Sequence, residues 1–142
     1  MKNVITSEHG ERSNLLNKEI VTHSANAHND GLILSMTHND MELYEVKPDK
    51  MPIAIYEKMD AFTIHEIQLE KGDMLYMFSD GYADQFGGPK GKKFKYKPFK
   101  RLLLENADKP MIEQKEILNQ AFEDWKGSLE QIDDVVVVGV RI

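Results

Sequence analysis

A chain of 142 residues with 41% hydrophobic residues suits one globular domain, long enough to bury roughly 68–70% of its unfolded surface. Zero cysteines exclude a disulfide scaffold, a thiolate zinc site and a cysteine nucleophile; they suit a reducing, cytoplasmic setting and leave oxygen or imidazole for any metal. A formal net charge of −6 argues against broad attraction to nucleic-acid phosphates, and neither a signal-peptide core nor the ~20 apolar residues of a bilayer span is found, so no membrane partner is expected.

Residues 1–18 are polar apart from Leu15-Leu16 and read as an N-terminal arm, poorly ordered unless it docks on something. The domain proper is expected over 19–142. Three short strand-forming segments open it, EIVTHSA at 19–25, GLILSM at 31–36 and MELYEV at 41–46. Asn, Asp and Gly clusters separate them, which predicts an antiparallel meander. After the two-proline loop KPDKMP at 47–52, FTIHEIQL at 62–69 and MLYMFS at 74–79 are strand-like again. Glu70-Lys71-Gly72-Asp73 between them is a tight-turn sequence, so a hairpin is expected.

KGKKFKYKPFKR at 90–101 interleaves lysines with Phe94, Tyr96 and Phe99, a pattern shared by nucleic-acid stacking surfaces and by solvated loops leading into a helix. Two helices are predicted next. The first opens at Pro98 with Phe99, Leu102 and Leu103 on one face. The second opens at Pro110, carries Met111, Ile117, Leu118, Ala121, Phe122 and Trp125 at helical spacing, and ends at Gly127; its stripe reads as core rather than as a docking face. DVVVVGVRI at 134–142 is almost continuously apolar and β-branched, which predicts a central strand covered on both faces. The fold class expected is α+β, antiparallel strands with helices packed on the sheet.

Asp80 follows the strand at 74–79, and Asp133 precedes the strand at 134–142. If the two strands are antiparallel neighbours, both carboxylates reach one edge of the sheet. With Asp84 and Asp134 nearby, this is a hard-oxygen set suited to magnesium or manganese rather than zinc, and Gly81 permits a sharp turn beside it. Asp-Gly is also an ordinary turn signal, and Asp133-Asp134 an ordinary polar strand start. His23 and His28, five residues apart, share no face of a strand or helix and make a poor zinc pair, and His65 reads as a strand-surface residue.

GDMLYMFSDGYADQFGG and the distant DDVVVVGVRI together resemble the C-terminal half of the metal-dependent protein phosphatase superfamily, the type 2C fold, in the bacterial branch typified by stage II sporulation protein E. The resemblance runs from about Ile20 to Ile142 and is most specific at Gly72-Asp73, Ser79-Asp80-Gly81 and Asp133-Asp134. KPDKMPIAIY at 47–56 and SANAHNDG at 24–31 also resemble segments of that branch. It implies a partial β-sandwich with flanking helices, and a phosphoserine or phosphothreonine protein as substrate in bacterial signalling. Two manganese or magnesium ions would hold the attacking water. Asp80 and Asp133 would ligate one ion; Asp84 is a candidate for an outer-shell or additional-metal role, with Gly81 and Asp134 as candidate outer-shell positions.

The family's bridging aspartate, in a Gly-Asp or Asp-x-x-Gly-His-Gly setting, has no counterpart between Met1 and Ile20; Glu8-His9-Gly10 is the nearest string. Asn26 and Ala54 stand where the family favours glycine, and Asp30 where it favours proline. The chain is therefore expected to be part of a phosphatase domain with little or no activity alone, or a non-catalytic interaction module. A half-sandwich would expose apolar faces and a strand edge, which favours self-association or a sheet-completing partner.

Overall fold

In the computed structural model, the residues described are 3–8, 19–21, 33–36, 43–46 and 63–142. The segments 24–31 and 47–56, with His23, Asn26, His28, Asp30 and Ala54, lie outside them. The strands in chain order are β1 (Asn3–Glu8), β2 (Glu19–Val21), β3 (Ile33–Met36), β4 (Leu43–Val46), β5 (Ile64–Glu66) and β6 (Met74–Phe78). A single helical turn, α1 (Gly81–Asp84), follows, then the short pair β7 (Phe86–Gly87) and β8 (Lys92–Lys93). Two longer helices, α2 (Tyr96–Glu105) and α3 (Met111–Lys126), lead to the last strand, β9 (Val136–Arg141).

The alternation Met74-Leu75-Tyr76-Met77-Phe78 buries every second residue of β6, the period of a strand with one face on a core. Opposite that face lie Tyr82 of α1, Phe99 and Leu103 of α2, and Met111, Leu118 and Phe122 of α3. Phe99 meets Phe78 edge-on at 4.7 Å and stacks on Tyr82 at 4.3 Å. Fully burying each such side chain contributes about 1.5–3 kcal/mol, and the ring geometry adds to it.

Among the described residues, β6 is a central strand. The larger sheet has the order β1-β9-β6-β3-β4, with β9 antiparallel to β6 and parallel to β1. Part of the polar arm therefore docks: Asn3–Glu8 runs beside Val136–Arg141. In β9 one face is buried through Val137 and Gly139, and Val136, Val138 and Val140 on the other are half-buried.

Two pairings differ from the sequence expectation. The Glu70–Asp73 turn forms, with Asp73 N donating to Glu70 O at 3.1 Å and Gly72 at φ 102°. The strands on either side of it do not form a hairpin. Instead β5 pairs with β2 in a separate two-stranded sheet, and β6 pairs with β3 and β9. The meander is likewise partial: β3 and β4 are antiparallel neighbours, whereas β2 joins β5. Turn chemistry sets the local reversal but does not choose the partner of each flanking strand: β6 lies in the larger sheet with one face buried, whereas β5 pairs with β2 while Ile64 and Glu66 stay exposed.

The helices fall where periodicity predicts, and α2 begins two residues earlier, at Tyr96. Pro98 is tolerated because the N–H groups of a first turn have no intrahelical partner to lose. Pro110 precedes α3 and Gly127, at φ 56°, ends it. In the first turn of α3, buried Gln114 accepts the Tyr76 hydroxyl and donates to Ala107 O and Lys109 O in the connection from α2. The Arg141 guanidinium donates to the same two carbonyls, so this polar cluster fixes the helix connection to β9.

Candidate metal-binding edge

The β6–β9 register pairs Phe78 with Val137, so the C-terminal end of β6 meets the N-terminal end of β9. Ser79 continues that contact through its side chain. Its Oγ donates to Asp134 O at 2.9 Å and accepts from Val136 N at 3.0 Å, and its own N–H donates to Val136 O at 3.0 Å. The hydroxyl thereby replaces ladder bonds where the strand stops, which accounts for β9 beginning at Val136 rather than at Asp134.

Asp80, half-buried, occupies the N-cap position of α1, and its carbonyl accepts Asp84 N at 2.9 Å. Gly81 is buried against the opposing segment: a Cβ there would lie 2.4 Å from Asp134 O. The turn after Asp80 and the backbone after Asp133 are thus in direct contact. Asp133 is exposed, its Oδ1 accepts Asp134 N at 2.7 Å, and it borders an open cleft of about 260 Å³ with Gln131, Ile132 and Asp134.

Asp84 faces elsewhere in the network: it is ion-paired to Lys93 at 2.8 Å, a solvent-exposed contact. Asp73 lies before the start of β6, at the opposite end of the strand from Asp80. It is fully buried, its Oδ2 accepts Glu70 N at 2.8 Å, and the backbone of Gly72 and Asp73 exchanges hydrogen bonds with Ile142. Its carboxylate builds the turn. His65 is half-buried on β5.

The donors at the Asp80 edge are hard oxygens, the chemistry that magnesium or manganese prefers. Among the described residues no group of three or more His, Asp or Glu side chains is arranged to hold a metal ion.

The aromatics of the lysine-rich stretch are committed to packing. Phe99 is fully buried, and Phe94 packs edge-on against Tyr82 at 5.3 Å and Trp125 at 5.4 Å. Their rings serve the core rather than a base-stacking platform. Two residues that sequence reasoning left without a role stand beside the candidate ligands. Ser79 is visible in the Ser-Asp-Gly string; Gln85, fully buried, has no periodic or motif signal.

Comparison with solved structures defines the class of fold. The SiaA-PP2C domain of Pseudomonas aeruginosa matches with a TM-score of 0.69 and 26% identity, over 80% of this chain and 44% of that one. The PP2C phosphatase domain with a fragment of the regulatory domain of the cell fate determinant SpoIIE from Bacillus subtilis matches with a TM-score of 0.58 and 25% identity, over 82% of this chain and 32% of that one. A manganese-presoaked structure of the Bacillus subtilis SpoIIE phosphatase domain, 21% identical at a TM-score of 0.55 over 88% of this chain and 56% of that one, shares the fold. This is the α+β architecture of PP2C phosphatase domains, and the chain spans 44%, 32% and 56% of these three relatives.

The family model for stage II sporulation protein E (SpoIIE) matches residues 16–142. The chain belongs to the SpoIIE family. No curated protein matches it.

Proposed function

We propose that this chain is part of a metal-dependent serine/threonine protein phosphatase domain of bacterial signalling, in which Asp80 and Asp133 ligate the same manganese or magnesium ion. The observation that carries the reading is the contact of the two aspartate-bearing segments, made by the β6–β9 register and by Gly81 against Asp134 O. In such domains the bound ions supply an activated water and neutralise charge developing on the phosphoryl oxygens. The chain's own residues hold the two carboxylates at one edge. Ser79 fixes the strand ends, Gly81 permits the close approach, and Asp84 and Asp134 lie at the periphery.

The substrate in this reading is a phosphoserine or phosphothreonine protein. Among the described residues β1 and β4 are the edges of the larger sheet, where a second copy or a sheet-completing partner would pair. Among the described residues no helix is long and apolar enough to cross a membrane, and the cysteine-free composition suits the cytoplasm.

Manganese titration of the purified chain beside Asp80→Asn and Asp133→Asn tests the assignment. Binding lost in both variants supports it; equal binding by all three proteins rejects it. Hydrolysis of a phosphothreonine peptide by the chain alone is expected to be slight, because two protein carboxylates do not make a paired-metal site. Robust hydrolysis abolished by Asp80→Asn would mean that the chain completes the site itself, by a second copy or by other residues of its own.

A further inference from the structure

The segment from Gly127 to Asp134 carries Asp133, and every residue in it is exposed, Leu129 and Ile132 included at 47% and 58%. Apolar packing therefore does little to position it. Two side-chain hydrogen bonds from the Asp80 side of the site reach it instead. One is the Ser79 hydroxyl on Asp134 O at 2.9 Å. The other comes from Gln85, whose Nε2 donates to Glu130 O at 2.9 Å and to Phe86 O at 3.0 Å.

The two donors bracket Asp80 in sequence, and the two carbonyls they engage bracket Asp133. Gln85 is itself held rigidly. It is 0% exposed, its backbone carbonyl accepts Trp125 Nε1 at 3.0 Å and Phe94 N at 2.9 Å, and it stands directly after α1. A buried amide anchored to α3 and to the 92–95 segment, and reaching across to an exposed loop, transmits the position of the core to that loop. Burying a glutamine costs free energy unless its polar atoms are used, and its Oε1 has no partner while its Nε2 has two, so donation is the function the site requires.

We infer that Gln85 is a positioning residue: it holds the Asp133 loop against the Asp80 turn and so sets the spacing of the two carboxylates. The inference rests on the metal-binding reading above. Removing a group that orients metal ligands without touching the ion lowers affinity about 10–100-fold, and a change near the lower end is expected here because Ser79 remains.

The test uses the full chain and manganese alone as probe. Gln85→Met keeps the volume and removes the donor. Manganese affinity from the electron paramagnetic resonance of the free ion is measured well below the unfolding temperature, beside backbone 15N relaxation of residues 130–134 without metal. Expected are about tenfold weaker binding and greater nanosecond mobility of 130–134, with the rest of the fold retained. A folded Gln85→Met with wild-type affinity and wild-type loop relaxation overturns the inference, and the metal reading survives if Asp80→Asn still loses manganese. Manganese held equally by Asp80→Asn overturns the metal reading and this inference with it. Should Gln85→Met not fold, Gln85→Asn, which keeps the amide but shortens its reach by one methylene, is judged by the same two readouts.

Discussion

Replacing Gly81 by alanine probes the closest approach at the proposed site. The added Cβ would stand 2.4 Å from Asp134 O, 3.0 Å from Asp134 C and 3.3 Å from Val135 Cγ2. The first distance is about 0.6 Å inside the 3.0 Å limit that Cβ atoms respect, and the obstacle is backbone rather than a flexible side-chain tip. Relief requires the 133–135 segment to retreat by at least that amount. The Ser79 hydroxyl bond to the same oxygen, 2.9 Å long, would then stretch toward the edge of hydrogen-bond range. Overpacking of this kind costs about 1–3 kcal/mol, and the helix propensity gained on going from glycine to alanine returns up to about 1 kcal/mol, less in a helix of one turn. The net expectation is a loss of about 1–2 kcal/mol, read by urea unfolding, or about 2–4 °C of Tm per kcal/mol in a domain of this size. Manganese affinity should fall with it, since the displaced segment carries Asp133. A Gly81→Ala chain as stable as the parent, with undiminished manganese binding, would refute the close packing of these two segments.

Phe122→Ala empties a fully buried position against Tyr82, whose ring centroid lies 5.1 Å away, and should cost about 3–5 kcal/mol by urea unfolding, a large share of the stability of a small domain. Ser79→Ala removes the hydrogen bonds to Asp134 O, which is exposed to water, and Val136 N, which is part-buried, and should cost about 0.5–1.5 kcal/mol, measured the same way. Burial holds the Tyr76 and Tyr82 hydroxyls well above the ordinary tyrosine value, in Tyr76 against a smaller opposing pull from Arg141. Because the folded-state values exceed the unfolded one, their contribution is intact below about pH 10 and is lost as pH rises from there toward the folded values. Urea midpoints should therefore fall above about pH 10, and Tyr82→Phe, which gives up the 2.8 Å bond to Leu118 O, should be less stable at neutral pH but lose less on alkalinisation. An unchanged alkaline slope in Tyr82→Phe would show that this hydroxyl is not the group responsible.

Much of this molecule can be read directly from its residues, because local periodicity encodes which face of an element is buried. The alternation from Met74 to Phe78 and the stripe of α3 each announce an element and its inward side, the β-branched run at 135–138 announces a strand, and Pro110 and Gly127 mark the ends of α3. The Ser79-Asp80-Gly81 and Asp133-Asp134 strings likewise mark the candidate ligands. What the residues do not encode one by one is pairing. The 70–73 turn looks the same whether its flanks zip together or part into two sheets; burial of one face suits Met74–Phe78 to its place between β3 and β9, whereas Ile64–Glu66 joins β2 with Ile64 and Glu66 exposed. The docking of Asn3–Glu8 on β9 and the packing of Phe94 and Phe99 from the lysine-rich stretch against the core are also long-range outcomes. Gln85 is the sharpest case: a polar residue with no pattern around it becomes fully buried because α3 and the 130–134 loop close over it. The contact of the Asp80 turn with the Asp133 loop likewise depends on long-range register, in which a shift of one residue between β6 and β9 would turn every side chain of one strand to the other face.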